Sequence, residues 1–94
     1  MGKYRISAVA RDDLIRIHQY GIEYFGLQQA DKYFNAFFEM FEIISANPMA
    51  FESIEFIKPN YRRCVCGVDS ILYTVDDNYV NIMAIVGRQD FYNI

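Results

Sequence analysis

Three observations predict an α+β fold for this 94-residue chain, a helical hairpin packed on a mostly antiparallel sheet. Two adjacent segments carry apolar residues at helical spacing, a one-residue glycine break separates them, and short apolar runs alternate with polar turns in the C-terminal half. The expected element order is β-α-α-β-β-β(-β).

Residues 3–9 alternate, with Tyr4, Ile6 and Ala8 on one side, which predicts a short strand with one buried face. Asp12 and Asp13 follow, placed where a helix N-terminus favours negative charge. Leu14, Ile17, Gly21 and Phe25 then recur at helical spacing and predict a first helix over roughly 11–25, ended by Gly26. The second helix is expected from Leu27 to about Ala46, with Ala30, Tyr33, Phe34, Phe37, Phe38, Phe41 and Ile44 as a wide apolar stripe. Gly21 and Ala30 are small enough to let the two helices approach closely. Asn47-Pro48 stops the second helix, because a residue before proline is pushed out of the α region.

Residues 49–60 are the least legible stretch; a strand is expected at about 54–58. Arg62–Cys66, Ser70–Asp76 and Tyr79–Gly87 follow as an antiparallel meander, turned at Gly67-Val68-Asp69 and Asp76-Asp77-Asn78. Tyr79–Val86 is apolar except at Asn81, so it is expected as a central strand, either covered on both faces or presenting one face to a partner. No repeat, linker or low-complexity segment interrupts the chain, and residues 1–94 are expected to form a single domain.

Composition narrows the function. Apolar residues make up 53% of the chain, which excludes disorder. Eight Phe and eight Tyr are more rings than so small a core can enclose, so some are expected at the surface, as partner contacts or as tyrosines with solvated hydroxyls. The net charge of −3 disfavours a protein that grips nucleic acid mainly through phosphates. Cys64 and Cys66 point the same way on a strand and match no zinc spacing, so buried free thiols in a reducing compartment are expected, with no metal and no cofactor. Met1-Gly2-Lys3-Tyr4 has no apolar signal core and no run approaches a membrane span, so a cytoplasmic protein is expected.

Among residues with chemistry, His18 lies on the first helix near Leu14, Gly21 and Phe25, where a structural role outweighs catalysis. Arg62 and Arg63 must point to opposite faces of their strand, so only one can share a site with Arg88 or Lys58; the alternative is pairing with Glu52, Glu55 or Asp90. Arg88 and Asp90 follow the last strand and are placed to pair with each other or with the helices. Tyr73, Tyr79 and Asn81 fit either an open sheet face or the core, and Phe34 and Phe38 are core residues whose outer edges could support a groove for a partner helix.

The joints of this order carry a resemblance. Ala10-Arg-Asp-Asp-Leu14 with Ile17, then Tyr24-Phe25-Gly26 with Ala30 and Tyr33, then Asn47-Pro48, Tyr61-Arg62-Arg63, Ile71-Leu72-Tyr73, Ile82 to Ile85, and Gly87-Arg88-Gln89-Asp90 resemble the ParE/RelE toxin superfamily over nearly the whole chain. The closing segment resembles the ParE-like branch. The resemblance implies the toxic component of a type II toxin–antitoxin system, acting on DNA gyrase by binding and neutralised by a ParD-like antitoxin in a hetero-oligomer. It assigns no catalytic residue, no cofactor and no specific nucleic-acid contact. It implies a target-binding set of Arg62, Arg63, Tyr73, Arg88 and Asp90, and an antitoxin-binding set of Phe34, Phe38, Tyr79 and Asn81. Two alternatives stand beside it. One is a RelE-like ribosome-dependent mRNA endoribonuclease drawing on Glu52, Arg62, Arg63, Arg88 and Tyr92; the other is a non-toxic relative that only binds partners.

Overall fold

A computed structural model describes residues 2–88 and 90. The elements are β1 (Tyr4–Ile6), α1 (Ala8–Phe25), α2 (Leu27–Ala46), a 3-10 turn (Pro48–Ala50), β2 (Glu52–Ser53), β3 (Arg62–Cys66), β4 (Asp69–Val75) and β5 (Val80–Gly87). The five strands form one sheet in the order β1-β5-β4-β3-β2. β1 lies parallel to β5, and every other pairing is antiparallel.

The helix boundaries follow from local chemistry. α1 begins at Ala8 rather than near residue 11, because Ser7 is an N-cap whose hydroxyl accepts from the Ala10 N–H. Ala8 is therefore helical and exposed instead of closing a strand. Asp12 and Asp13 fall in the second turn, and Asp13 serves the sheet: its carboxylate accepts from the Ile85 N–H at 2.9 Å. Gly26, at φ 88°, is the one residue between the helices, a conformation that needs no Cβ. The close approach expected at Gly21 is present, since a Cβ there would lie 3.1 Å from the Ala30 methyl.

Both helices cover one face of the sheet. Phe37, Phe41 and Ile44 of α2 are fully buried with Ala10 and Leu14 of α1 against Cys64, Cys66, Ile71, Tyr73, Val80, Ile82 and Ile85. Truncation of a buried Phe of this kind costs about 3–5 kcal/mol. The opposite face has only a small cover, in which Ile54 and Leu72 are buried beside Ile57, Tyr61, Ala84 and Val86.

The strand expected at 54–58 is absent; pairing is confined to Glu52–Ser53. Residues 54–60 instead turn on themselves. The Ile54 carbonyl accepts from Ile57 and Lys58, and Asn60 adopts φ 70°. Pro59 has no N–H to give to a ladder, and Ile54 is worth more as a plug on the open face than as a strand residue. β5 is central, between β1 and β4, and it bulges at Met83: Tyr73 pairs with Ile82 but Leu72 pairs with Ala84. The Ser7 hydroxyl donates to the Met83 carbonyl at 2.9 Å, so one side chain caps α1 and satisfies the bulge. Among the described residues, no helix is long and apolar enough to cross a membrane.

Because Ser7 serves both elements, Ser7→Ala is expected to destabilise the fold by about 1–2 kcal/mol, more than an exposed cap alone. Chemical denaturation against the parent chain measures it.

Candidate functional site

An open groove of about 1180 Å3 lies at one end of the molecule. α1 contributes Arg16, Ile17, Tyr20 and Phe25, and α2 contributes Ala30 and Tyr33. The β3–β4 turn and the end of β5 form the facing wall with Val68, Asp69, Gly87 and Arg88. Tyr20, Tyr24, Phe25 and Leu27, between 57% and 68% exposed, extend an aromatic pad from the groove over the hairpin tip. The Tyr20 and Tyr24 rings stack at 4.4 Å. Exposed apolar side chains of this size, gathered in one patch, are of the kind that protein interfaces concentrate.

The turn wall is held by Tyr33. Its hydroxyl lies 2.9 Å from the Cys66 carbonyl and 2.8 Å from the Asp69 carboxylate, and it accepts from the Val68 N–H at 3.2 Å. Gly67 sits under the ring at φ 60°, where a Cβ would come within 2.5 Å of it. Only glycine satisfies both the left-handed backbone and the contact. Burial raises the Asp69 pKa despite the Tyr33 hydrogen bond and the charge of Arg16, which pull it down. Burial, then the Asp69 bond and charge, raise the Tyr33 phenol well above its ordinary value. Burial likewise pushes the Cys64 thiol up to about 11, so these sulfurs stay protonated core groups.

The expected site residues separate into distinct places. Arg63, Arg88 and Asp90 line the groove together. Arg63 Nε also donates to the Ser70 hydroxyl at 3.0 Å, and its guanidinium meets Glu52 at 3.4 Å across the β2–β3 pair. Arg88 and Asp90 are exposed and form no ion pair with each other or with the helices. Arg62 turns to the other face, where it donates to the Phe51 carbonyl at 2.7 Å. Tyr73 does not face a target: it is fully buried and its hydroxyl donates to the Pro48 carbonyl at 2.6 Å. Desolvation there raises its pKa to about 12. Glu52 and Arg63 therefore meet, Arg88 stands in the groove, and Arg62 is apart; Tyr92 lies outside the described residues.

Phe34 and Phe38 are half-buried in the hairpin, stacked on each other at 5.2 Å. His18 rests on Phe34 at 4.9 Å and its Nε2 lies 2.8 Å from Asp31, a bond between the two helices. Tyr79 and Asn81 belong to a lock at the far end of the sheet. Arg5 lies over the Tyr79 ring at 4.2 Å, binds Asn81 at 3.0 Å and pairs with Asp76 at 3.1 Å. The Asn81 amide donates to Asp76, and the N–H groups of Asn78 and Tyr79 do the same. These bonds, the Asn81 amide first, hold the Asp76 carboxyl down at about 2.

Sequence reasoning missed Arg16, Tyr20, Tyr33, Gly67 and Asp69 as site residues. The aromatic surplus was a signal for Tyr20 and the hairpin tip. Asp69 looked like an ordinary turn residue, and nothing local marked its pairing with Tyr33.

A model of the family described as "ParE toxin of type II toxin-antitoxin system, parDE" matches residues 4–92. Toxin ParE1 of Caulobacter vibrioides (strain ATCC 19089 / CIP 103742 / CB 15) is 32% identical over 75 residues, which span 80% of this chain and 78% of the relative. A solved chain from "Chromosomal ParDE TA system from P. aeruginosa" superposes with a TM-score of 0.81 at 17% identity, covering 93% of this chain and 96% of that one. At that identity the likeness concerns the fold.

Two expectations follow from the geometry. Tyr33→Phe, which leaves the Val68 N–H and Asp69 without the hydroxyl, should lower stability by about 1–2 kcal/mol in denaturant melts. Asp76 is depressed in the fold, so its stabilisation is present above its unfolded value near 3.8 and is lost as pH falls from there towards 2. An acid titration of Asp76→Asn should lack that slope while the parent shows it.

Proposed function

This chain belongs to the ParE toxin family of type II toxin–antitoxin systems, and from that premise we propose that it acts by binding DNA gyrase and is neutralised by a ParD-like antitoxin. The observation that carries the binding reading is the groove with its aromatic pad, a surface of exposed rings beside arginines. Exposed aromatic and arginine side chains are what protein interfaces concentrate. The antitoxin reading is supported by the same surface: rings left in water by the toxin alone are covered when a partner segment folds over them.

The dispersal of the basic residues also supports binding over RNA cleavage. Cleavage by the 2′-hydroxyl needs a base, a cation at the phosphate and an acid at one point. Arg62 stands on the opposite face from Arg63, and His18 is engaged with Asp31 between the helices. The cytoplasm, where gyrase works, is the compartment this reading requires.

Induced expression of the chain alone in bacteria tests the proposal. Filamentation with chromosome breaks and intact mRNA is expected, and growth should return when the antitoxin is co-expressed. Rapid translation arrest with cut mRNA would overturn the gyrase assignment in favour of the nuclease, and unimpeded growth would make this a non-toxic relative.

A further inference from the structure

β1 pairs only with residues 80–82 of β5, so among the described residues the rest of β5 has no strand neighbour on that side. The β4–β5 ladder decides which backbone groups face there. The Arg88 N–H donates to the Val68 carbonyl at 2.9 Å. The adjacent pair, Asp69 with Gly87, therefore exchanges no ladder bonds, and Gly87 turns its N–H away from β4. Two residues earlier the same alternation turns the Ile85 N–H to that side, and there the Asp13 carboxylate takes it at 2.9 Å. Among the described residues, α1 thus caps the edge at Ile85 and leaves it uncapped at Gly87. The Gly87 N–H has no acceptor among the described residues, and half-buried Gly87 lines the groove with Arg16, Ile17 and Arg88.

A half-buried N–H without an acceptor is unfavourable, and an edge N–H is the group that an added extended segment pairs with. The charges beside it select the segment. Arg88 is an exposed cation beside Gly87 in the groove lining, whereas Arg16 is paired with Asp13 at 3.1 Å and Asp69 is occupied by Tyr33. We propose that the groove takes an extended acidic segment of the antitoxin. One of its backbone carbonyls accepts from Gly87, an apolar side chain rests on Tyr20 and Phe25, and a carboxylate meets Arg88. This rests on the toxin–antitoxin reading above and names the edge, the atom and the chemistry of the contact. A polynucleotide fits less well. It carries a phosphate at every step and would set one of them against the exposed Asp90 carboxylate, whereas a peptide places its charges one at a time.

Hydrogen exchange of individual amides, read by NMR on the toxin alone and on the complex with its ParD-like antitoxin, tests the assignment. The Gly87 amide should slow by at least about tenfold on binding. Gly87→Pro removes that N–H without removing a ladder bond, and should weaken antitoxin affinity by about tenfold, one hydrogen bond's worth. Gly87→Ala keeps the N–H, and its Cβ meets only the tip of the Asp90 side chain, at 3.1 Å, so binding should be rescued. Arg88→Glu should weaken binding and flatten its salt dependence. Antitoxin binding with an unchanged Gly87 amide and equal affinities for the proline and alanine variants overturns the edge assignment alone. No antitoxin binding by the parent chain overturns the reading above as well. Displacement of the antitoxin by a single-stranded oligonucleotide at comparable affinity overturns the choice of a peptide.

Discussion

Phe37, Phe41 and Ile44 project from one side of α2, and none of them keeps any surface in water. Burying that stripe is the constraint on which the remaining structure depends. It needs a flat apolar partner, which the helix-facing residues of β3, β4 and β5 supply. Once α2 occupies the middle of the sheet, α1 has room only beside it. The one-residue connection at Gly26 leaves the helices antiparallel and in contact, and Gly21 and Ala30 let them come that close. With both helices on one face, the other face receives only the short plug around Ile54.

The sheet's edges explain where the groove arises. β1 is three residues long and runs parallel beside a strand of eight. The unmatched part of β5 must satisfy its backbone some other way. α1 does this with two side chains, Ser7 on the bulged Met83 carbonyl and Asp13 on the Ile85 N–H. Both come from the start of the helix, because that is the part lying over the edge. Farther along, Arg16, Ile17 and Tyr20 of α1 line the groove together with the end of β5. The β3–β4 turn closes its far side, held by the Tyr33 hydroxyl and by a glycine that the ring permits no side chain. The groove is thus a place where the cover of the sheet ends, and its walls are ordinary core elements seen at their rim.

The two charged clusters serve opposite purposes. At the far end, Arg5, Asp76, Asn81 and Tyr79 satisfy one another and tie the first strand to the last hairpin. Groups so engaged have little left to offer a partner. Around the groove, Arg88 and the ring faces of Tyr20 and Phe25 remain exposed to water. That contrast, rather than residue type, separates engaged from unengaged side chains among the described residues. It moves attention from Tyr79 and Asn81 to the hairpin tip.

Periodicity and punctuation alone determined most of the architecture. The 3.6-residue stripe of α2, the glycine at 26, the Asn47-Pro48 stop and the polar turns of the meander lie where local chemistry requires them. The opposite orientation of Arg62 and Arg63 was equally legible, since side chains alternate along any strand. What the sequence could not show was every feature decided by contacts between distant segments. Ser7 read as part of a strand until the bulge at Met83, 76 residues away, called on its hydroxyl. Residues 54–58 have strand-like composition, yet the open face needed a plug and Pro59 could not join a ladder. Tyr73 could have faced either way until the Pro48 carbonyl took its hydroxyl inside. Local patterning is set by the covalent chain, whose neighbours are known in advance. The pairing of Tyr33 with Asp69, and of Asp13 with the Ile85 N–H at the edge of β5, exist only once the folded sheet brings together groups that the chain keeps apart.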